Sequence, residues 1–168
     1  GIVAVASLGY VGGRALLAQA SRPDADIAVI AHRGAAGVRP ENTLASITKA
    51  VEDDADWVEI DVQATADGEI VVIHDRDFMK LAGVDLRVRD ATMADLAGID
   101  VGSWFDPAHA GERTPTLGQA LEAVRGRARL LIELKYYGED ATLAGRVAEI
   151  VDRAGMGAEV AVMSLSYP

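Results

Sequence analysis

The chain of 168 residues contains no cysteine, which removes several classes of protein from consideration. A disulfide-stabilised scaffold, a zinc ribbon and an enzyme with a thiol nucleophile all require that residue. Aromatic residues make up only 5% of the chain, which weakens the case for a surface on which nucleic-acid bases stack. Cations are also in the minority, because 16 Lys and Arg face 26 Asp and Glu, for a formal net charge of −10. This charge argues against nucleic acid as the main partner, although one or two local cations can still hold a small phosphate ligand.

Residues 1–24 form a short apolar tail that ends in a linker. The apolar stretch Gly1–Gly13 is interrupted at Arg14, whereas a helix that spans a membrane alone needs about 20 apolar residues. We predict that the tail is the end of a transmembrane helix. The small residues at 18–20 also fit a trimmed secretion signal, and a buried amphipathic helix or a disordered lead-in is the third alternative.

The body of the chain, residues 25–168, has the length and apolar content of one domain with a sizeable core. The sequence predicts strands over Ile27–Ala31, Trp57–Val62, Ile70–Ile73, Arg129–Leu134 and Val160–Ser164. It predicts helices from Asn42 or Thr43 to Asp53, around Thr92–Ala97, over Leu117–Val124 and over Ala141–Ala154. The alternation of strands and helices indicates an α/β fold with a parallel sheet. The first strand is a continuous apolar run, so we expect it to be buried.

Charged side chains occur where these predicted strands end. Glu59 and Asp61 lie two residues apart on one strand and therefore point to the same face, and Glu133 and Lys135 repeat that spacing on another strand. His32 follows the first strand, and His74 follows the third. Active sites of barrels and open parallel sheets lie at the carboxyl ends of the strands, so we expect these groups to converge there.

The residue types indicate which chemistry the cluster can support. Three carboxylates form a hard oxygen site that suits Mg²⁺, Ca²⁺ or Mn²⁺, and a histidine pair suits acid–base catalysis near neutral pH. Arg33 is a candidate to bind a phosphate through its forked guanidinium. The alternatives are a solvated strand face for the first two carboxylates, a simple salt bridge for Lys135, and an acid favoured by the helix dipole for Glu41.

Five short motifs in this order resemble the glycerophosphodiester phosphodiesterase family. They are His32-Arg33-Gly34, Pro40-Glu41-Asn42-Thr43, Glu59-Ile60-Asp61-Val62, His74-Asp75 and Glu133-Leu134-Lys135. The likeness covers residues 27–164, and the apolar segment before the first motif is similar to the membrane-attached bacterial branch. That branch implies a membrane-associated protein, with a secreted or cytoplasmic location as the alternatives.

The resemblance implies a (β/α)8 TIM barrel that hydrolyses glycerophosphodiesters to sn-glycerol 3-phosphate and an alcohol. By similarity, Glu59, Asp61 and Glu133 would bind one divalent cation, Mg²⁺ or Ca²⁺, with Mn²⁺ as an alternative. His32 and His74 would be the general base and the general acid. Substrate binding would fall to three residues, Arg33, Lys135 and Glu41.

A complete barrel needs roughly 200–250 residues, so we expect residues 25–168 to be the amino-terminal part of one, with about its first five strands. Open strand edges would then favour an oligomer. Two other functions stay open: a lysophospholipase D that acts on lipid-tailed phosphodiesters, and a catalytically silent binding module.

Overall fold

The computed structural model describes residues 27–138 and 140–166, so the predicted tail over residues 1–24 lies outside the described part. The strands are β1 (Ile30–Ala31), β2 (Trp57–Ala64), β3 (Ile70–Val72), β4 (Asp77–Phe78), β5 (Val84–Arg87), β6 (Arg129–Leu134) and β7 (Val160–Met163). The helices are α1 (Leu44–Glu52), α2 (Met79–Ala82), α3 (Met93–Leu96), α4 (Leu117–Val124) and α5 (Leu143–Arg153), with short 3₁₀ turns at Val88–Asp90 and Pro107–His109. None of the helices in this described part is both long enough and apolar enough to cross a bilayer.

The main sheet has five strands, which agrees with the number predicted from the sequence. Four of them run parallel in the order β1-β2-β6-β7, and β3 pairs with the carboxyl-terminal end of β2. In this register Asp61 lies directly opposite Glu133. The parallel α/β architecture that the alternation predicts is therefore confirmed.

The third strand runs antiparallel to β2, so its predicted place among the parallel strands is wrong. A turn at Asp67-Gly68, with Gly68 at φ 91°, reverses the chain between the two strands. Only a few residues separate β2 from β3, whereas a parallel crossover needs a dozen or more. As a result, the chain after β3 returns towards the middle of β2, where the Ile73 N–H donates to the Asp61 carbonyl at 2.9 Å.

The first strand is also shorter and more open than predicted. It spans only Ile30–Ala31, and Ile27, Val29 and Ile30 are 62%, 55% and 45% exposed. In the described part of the chain, β1 pairs with β2 alone and has no strand on its other side. The prediction of a buried strand is therefore wrong for residues 27–138 and 140–166, in which the apolar run lies at an edge of the sheet.

Threonine side chains set the start of three helices. The side chains of Thr43, Thr92 and Thr116 each accept a hydrogen bond from the backbone N–H three residues later, and the side chain of that later residue accepts one from the threonine N–H. These reciprocal bonds satisfy amide groups that a helix start would otherwise leave unpaired. The predicted helix starts near residues 43, 92 and 116 are confirmed.

The main core lies between the sheet and the three longer helices. α1, α4 and α5 direct apolar residues such as Ile47, Leu121 and Val147 against one face of the sheet. Val58, Ile60 and Val62 of β2 belong to this core and are fully buried. The alternate residues of β2, including both carboxylates, therefore lie on the opposite face.

A second, smaller core organises the segment between β3 and α4, for which the sequence predicts only one short helix. The β4–β5 hairpin, α2 and α3 enclose buried apolar residues that include Phe78, Leu81 and Val88. Val71 and Ile73 of the β3 region join the same cluster. The segment between β3 and α4 thus packs onto the β2–β3 hairpin, which His74 directly follows.

Candidate active site

Three acidic side chains from two adjacent strands meet at one point. Glu59, Asp61 and Glu133 are only 3%, 0% and 6% exposed, and one oxygen of each lies within 4.8 Å of the others. The parallel pairing of β2 with β6 places Asp61 beside Glu133. The convergence of the three carboxylates, expected from their positions in the sequence, is present in the structure.

Asp61 lies at the centre of the contacts. Its carboxylate accepts a hydrogen bond from Asn42 Nδ2 at 2.8 Å and lies 3.3 Å from Arg33 Nε and 3.1 Å from Lys135 Nζ. Lys135 Nζ also donates to Glu133 at 2.7 Å. Burial works to lower the pKa of Lys135, but its bonds to Glu133 and Asp61 outweigh that effect and the net shift is upward. Lys135 therefore stays charged between the two acids.

Glu59 has less positive charge around it. Its Oε2 accepts a hydrogen bond from the backbone N–H of Arg33 at 2.8 Å and lies 3.8 Å from His32 Nε2. Its Oε1 is buried without a hydrogen-bond partner among the described residues. Burial, together with the nearby charge of Asp61, raises the pKa of Glu59 to about 7. The carboxylate is therefore held where a further positive charge would stabilise it.

The turn that carries His32 and Arg33 is locked against helix α1. Arg33 and Gly34 have φ values of 53° and 74°, and the Gly34 N–H donates to the Glu59 carbonyl at 3.1 Å. A side chain at Gly34 would collide with Ser46, whose Oγ lies 2.5 Å from the place of a Cβ. Glycine is required at this position for both conformation and space.

Glu41 links two cations at the rim of the site. Arg33 Nη1 lies 3.0 Å from Glu41 Oε1, and Lys80 Nζ lies 2.9 Å from both oxygens. Lys80 comes from α2 in the segment after β3, and the sequence offers no signal that connects it with Glu41. The predicted role of Glu41 in substrate binding stays a prediction, and the observed contacts make it an anchor for Arg33.

His74 is held by polar contacts on two sides. Its Nδ1 lies 2.7 Å from the Asp75 carboxylate, and the phenol of Tyr137 donates to its backbone carbonyl at 2.9 Å. The buried Gln63 amide donates to the carbonyls of residues 73, 74 and 75 at 3.0, 3.2 and 2.8 Å. Sequence reasoning missed Gln63, although it continues the face of β2 that bears Asp61.

Asn42 is a second residue whose role the sequence leaves unrecognised. It is predicted only as a candidate helix cap, but Thr43 caps α1. Asn42 adopts φ 57° and makes two hydrogen bonds with Asp61. Its Nδ2 donates to the Asp61 carboxylate, and its Oδ1 accepts from the Asp61 backbone N–H at 3.2 Å. Its position beside Glu41 in the motif Pro40-Glu41-Asn42-Thr43 is the signal that could have identified its role.

Comparison with known proteins places this arrangement in a family. The family model described as "Glycerophosphoryl diester phosphodiesterase family" matches residues 32–158. The chain belongs to this family. YhdW of Bacillus subtilis is 39% identical over 139 residues, which cover 83% of this chain and 57% of that protein.

Solved structures of the glycerophosphodiester phosphodiesterase family have the same fold. The Agrobacterium tumefaciens glycerophosphodiester phosphodiesterase aligns with a TM-score of 0.76 and 35% identity, covering 83% of this chain and 58% of that one. A phosphodiesterase of Oleispira antarctica, solved in complex with the product sn-glycerol-3-phosphate, aligns with a TM-score of 0.74 and 31% identity over the same shares. The predicted α/β TIM-barrel fold is confirmed. The chain spans about half the length of the curated relatives it matches.

The five motifs that resemble the glycerophosphodiester phosphodiesterases meet around one site. The structure connects His32, Arg33 and Glu41 with the three carboxylates and Lys135 through ion pairs and hydrogen bonds. His74 is positioned near the same region because the preceding residue, Ile73, donates its backbone N–H to the Asp61 carbonyl. The roles of these residues in metal binding and catalysis stay predictions.

Proposed function

We propose that this protein is a divalent-metal-dependent glycerophosphodiester phosphodiesterase that releases sn-glycerol 3-phosphate and an alcohol. The observation that carries the proposal is the buried group of three carboxylates, with Arg33, Lys135 and His32 beside it, in a chain of this family. The product bound to the Oleispira relative supports the same substrate class.

The carboxylate group has the donors and the charge that a hard cation requires. All three ligands offer oxygen, which suits Mg²⁺, Ca²⁺ or Mn²⁺. The unpartnered Glu59 Oε1 and the raised pKa of that residue indicate that the described residues do not fully balance the negative charge. We therefore expect Glu59, Asp61 and Glu133 to hold one divalent cation, which when bound would offset charge on the phosphate oxygens.

Arg33 and Lys135 are placed to bind the phosphate next to that cation. Both lie within 3.3 Å of Asp61, and their side chains are 18% and 12% exposed. Positive groups held in such a desolvated position stabilise charge that grows on phosphate oxygens more strongly than they would in water. We expect the substrate phosphate to compete with Asp61 and Glu41 for the N–H groups of Arg33 and Lys135.

The surroundings of the two histidines favour different roles. Burial and the charge of Arg33 lower the pKa of His32, so that its neutral form accepts a proton from the attacking hydroxyl. His74 has its Nδ1 2.7 Å from the Asp75 carboxylate, which orients the ring so that its Nε2 can donate a proton to the leaving alkoxide. We assign His32 as the general base and His74 as the general acid.

Hydrolysis of glycerophosphocholine tests this proposal. The full-length protein is assayed with Mg²⁺, with Ca²⁺ and with a chelator, beside the variants His32→Ala and His74→Ala. Each variant should lower kcat by about 10²–10⁴-fold, whereas His109→Ala, which removes the third histidine, should retain activity. Metal-independent turnover, or full activity in His32→Ala, would contradict the mechanism. Turnover of lysophosphatidylcholine alone would favour the lysophospholipase D alternative, and metal binding without turnover of either substrate would favour a silent binding module.

A further inference from the structure

A basic cleft lies beside the His74 loop, and none of the three carboxylates lines it. It has a volume of about 370 Å³ and is lined by four arginines, Arg76, Arg87, Arg89 and Arg146. Asp140 is the one acid among the described residues that line it. A quarter of the 16 cations in this acidic chain thus surround a single cleft.

Most of the donor groups of these arginines are available to a ligand. Arg76 and Arg89 approach acids of neighbouring residues only at 3.6 and 3.7 Å, and each side chain is more than half exposed. No ion pair involves Arg87 in the described part of the chain. Asp140 and Arg146 pair at 2.9 Å and offset each other's charge, so the net positive charge of the cleft comes from Arg76, Arg87 and Arg89. The cleft therefore favours an anion with several oxygens.

The cleft lies near His74, the proposed general acid. Arg76 is two residues beyond His74, and Tyr137, which also lines the cleft, donates to the His74 carbonyl. Arg89 Nη1 reaches the Tyr137 carbonyl at 3.4 Å, and it lies close over the backbone of Gly138. A group bound in this cleft would therefore lie next to the loop that carries His74.

We propose that the cleft of Arg76, Arg87, Arg89 and Arg146 is a binding site for a second phosphate group, carried by the alcohol portion of the substrate. This inference rests on the proposed function, because the diester links the two sites. It predicts a preference for glycerophosphodiesters whose leaving alcohol is itself phosphorylated.

Two substrates that differ by one phosphate test the proposal. Glycerophosphoglycerol has a neutral leaving alcohol, and glycerophosphoglycerol phosphate has the same alcohol with a phosphate monoester. At low salt, we expect KM to be about tenfold lower for the phosphorylated substrate, as a charged hydrogen bond would give. Arg87→Gln should abolish this difference while leaving kcat/KM for glycerophosphoglycerol unchanged. Arg87→Lys should retain part of it, and the exposed Arg153→Gln should retain all of it.

The outcomes separate this proposal from the proposed function. Equal KM values for the two substrates in the unmodified protein, or an unchanged difference in Arg87→Gln, would overturn the proposed role of the cleft in phosphate binding. Either result would leave the phosphodiesterase assignment intact. If neither substrate is hydrolysed, calorimetric titration with inorganic phosphate in chelator tests the cleft alone. Binding that is lost in Arg87→Gln and kept in Lys135→Met would support an anion site that takes free phosphate, and absence of binding would overturn it.

Discussion

Replacement of Glu59 by glutamine should stabilise the metal-free protein at alkaline pH. Glu59 is 3% exposed, one of its oxygens has no hydrogen-bond partner in the described part of the chain, and its pKa is raised to about 7 from an ordinary value of 4.5. Because the folded-state pKa is the higher one, the group favours folding while it is protonated, and this contribution is lost as the pH rises from about 4.5 to above 7. The shift corresponds to about 3 kcal/mol at 1.36 kcal/mol per pH unit.

Glutamine has nearly the same shape and can still accept the bond from the Arg33 N–H. The net shift in the pKa of Glu59 already includes the stronger bond that the charged carboxylate accepts from this N–H. At pH 8 in chelator, Glu59→Gln should therefore raise the free energy of unfolding by about 3 kcal/mol. At pH 4.5, where the wild-type carboxyl is largely protonated, the two proteins should differ little. Divalent metal should reverse the order at pH 8, because binding at about 1,000 times Kd stabilises by about 4.1 kcal/mol and the variant lacks one ligand.

Urea unfolding followed by circular dichroism, with and without metal at both pH values, measures these differences. Glu69→Gln is the matched control, since Glu69 is exposed on the same hairpin and should show no pH-dependent gain. If Glu59→Gln is less stable than the wild type at pH 8 in chelator, the buried carboxylate is not a cost to the fold and the reasoning is refuted.

Three further substitutions test the supports of the site. Asn42→Ala removes both bonds to Asp61, and calorimetry with Mn²⁺ should show affinity weakened by about 10–100-fold. Asp75→Asn removes the carboxylate at His74 Nδ1, and steady-state kinetics should show kcat lower by at least about 10²-fold; an unchanged kcat would contradict the orienting role. Gln63→Leu leaves three loop carbonyls without their donor, and we expect kcat to fall with KM nearly constant and urea unfolding to show a loss of about 2 kcal/mol.

Local patterns in the sequence predict the site more reliably than they predict strand direction. The two-residue spacing of Glu59 and Asp61 is sufficient to place both carboxylates on one face, because side chains alternate along any strand. The direction of β3 is not visible in its apolar residues, which suit a parallel and an antiparallel strand equally. The short connection from β2 does indicate a hairpin, and this length signal outweighs the general alternation of strands and helices.

Contacts between distant parts of the chain account for what the sequence could not show. The register that sets Asp61 opposite Glu133 depends on how β2 and β6 pair, and no local pattern specifies it. Lys80 reaches Glu41 across 39 residues because the second core packs α2 near the site. Such partners depend on tertiary packing, whereas helix starts such as Thr43 depend on neighbours three residues away.

The close fit of Gly34 against Ser46 means that the site has a part in which a substitution disturbs the fold and a part in which it does not. Any side chain at residue 34 would displace α1, and with it the turn that holds Arg33 near Asp61. The arginines Arg76, Arg87 and Arg89 on the segment after β3 are exposed and meet no such close contact. We therefore expect substitutions on this segment to leave the fold of the site intact, whereas a substitution at residue 34 does not.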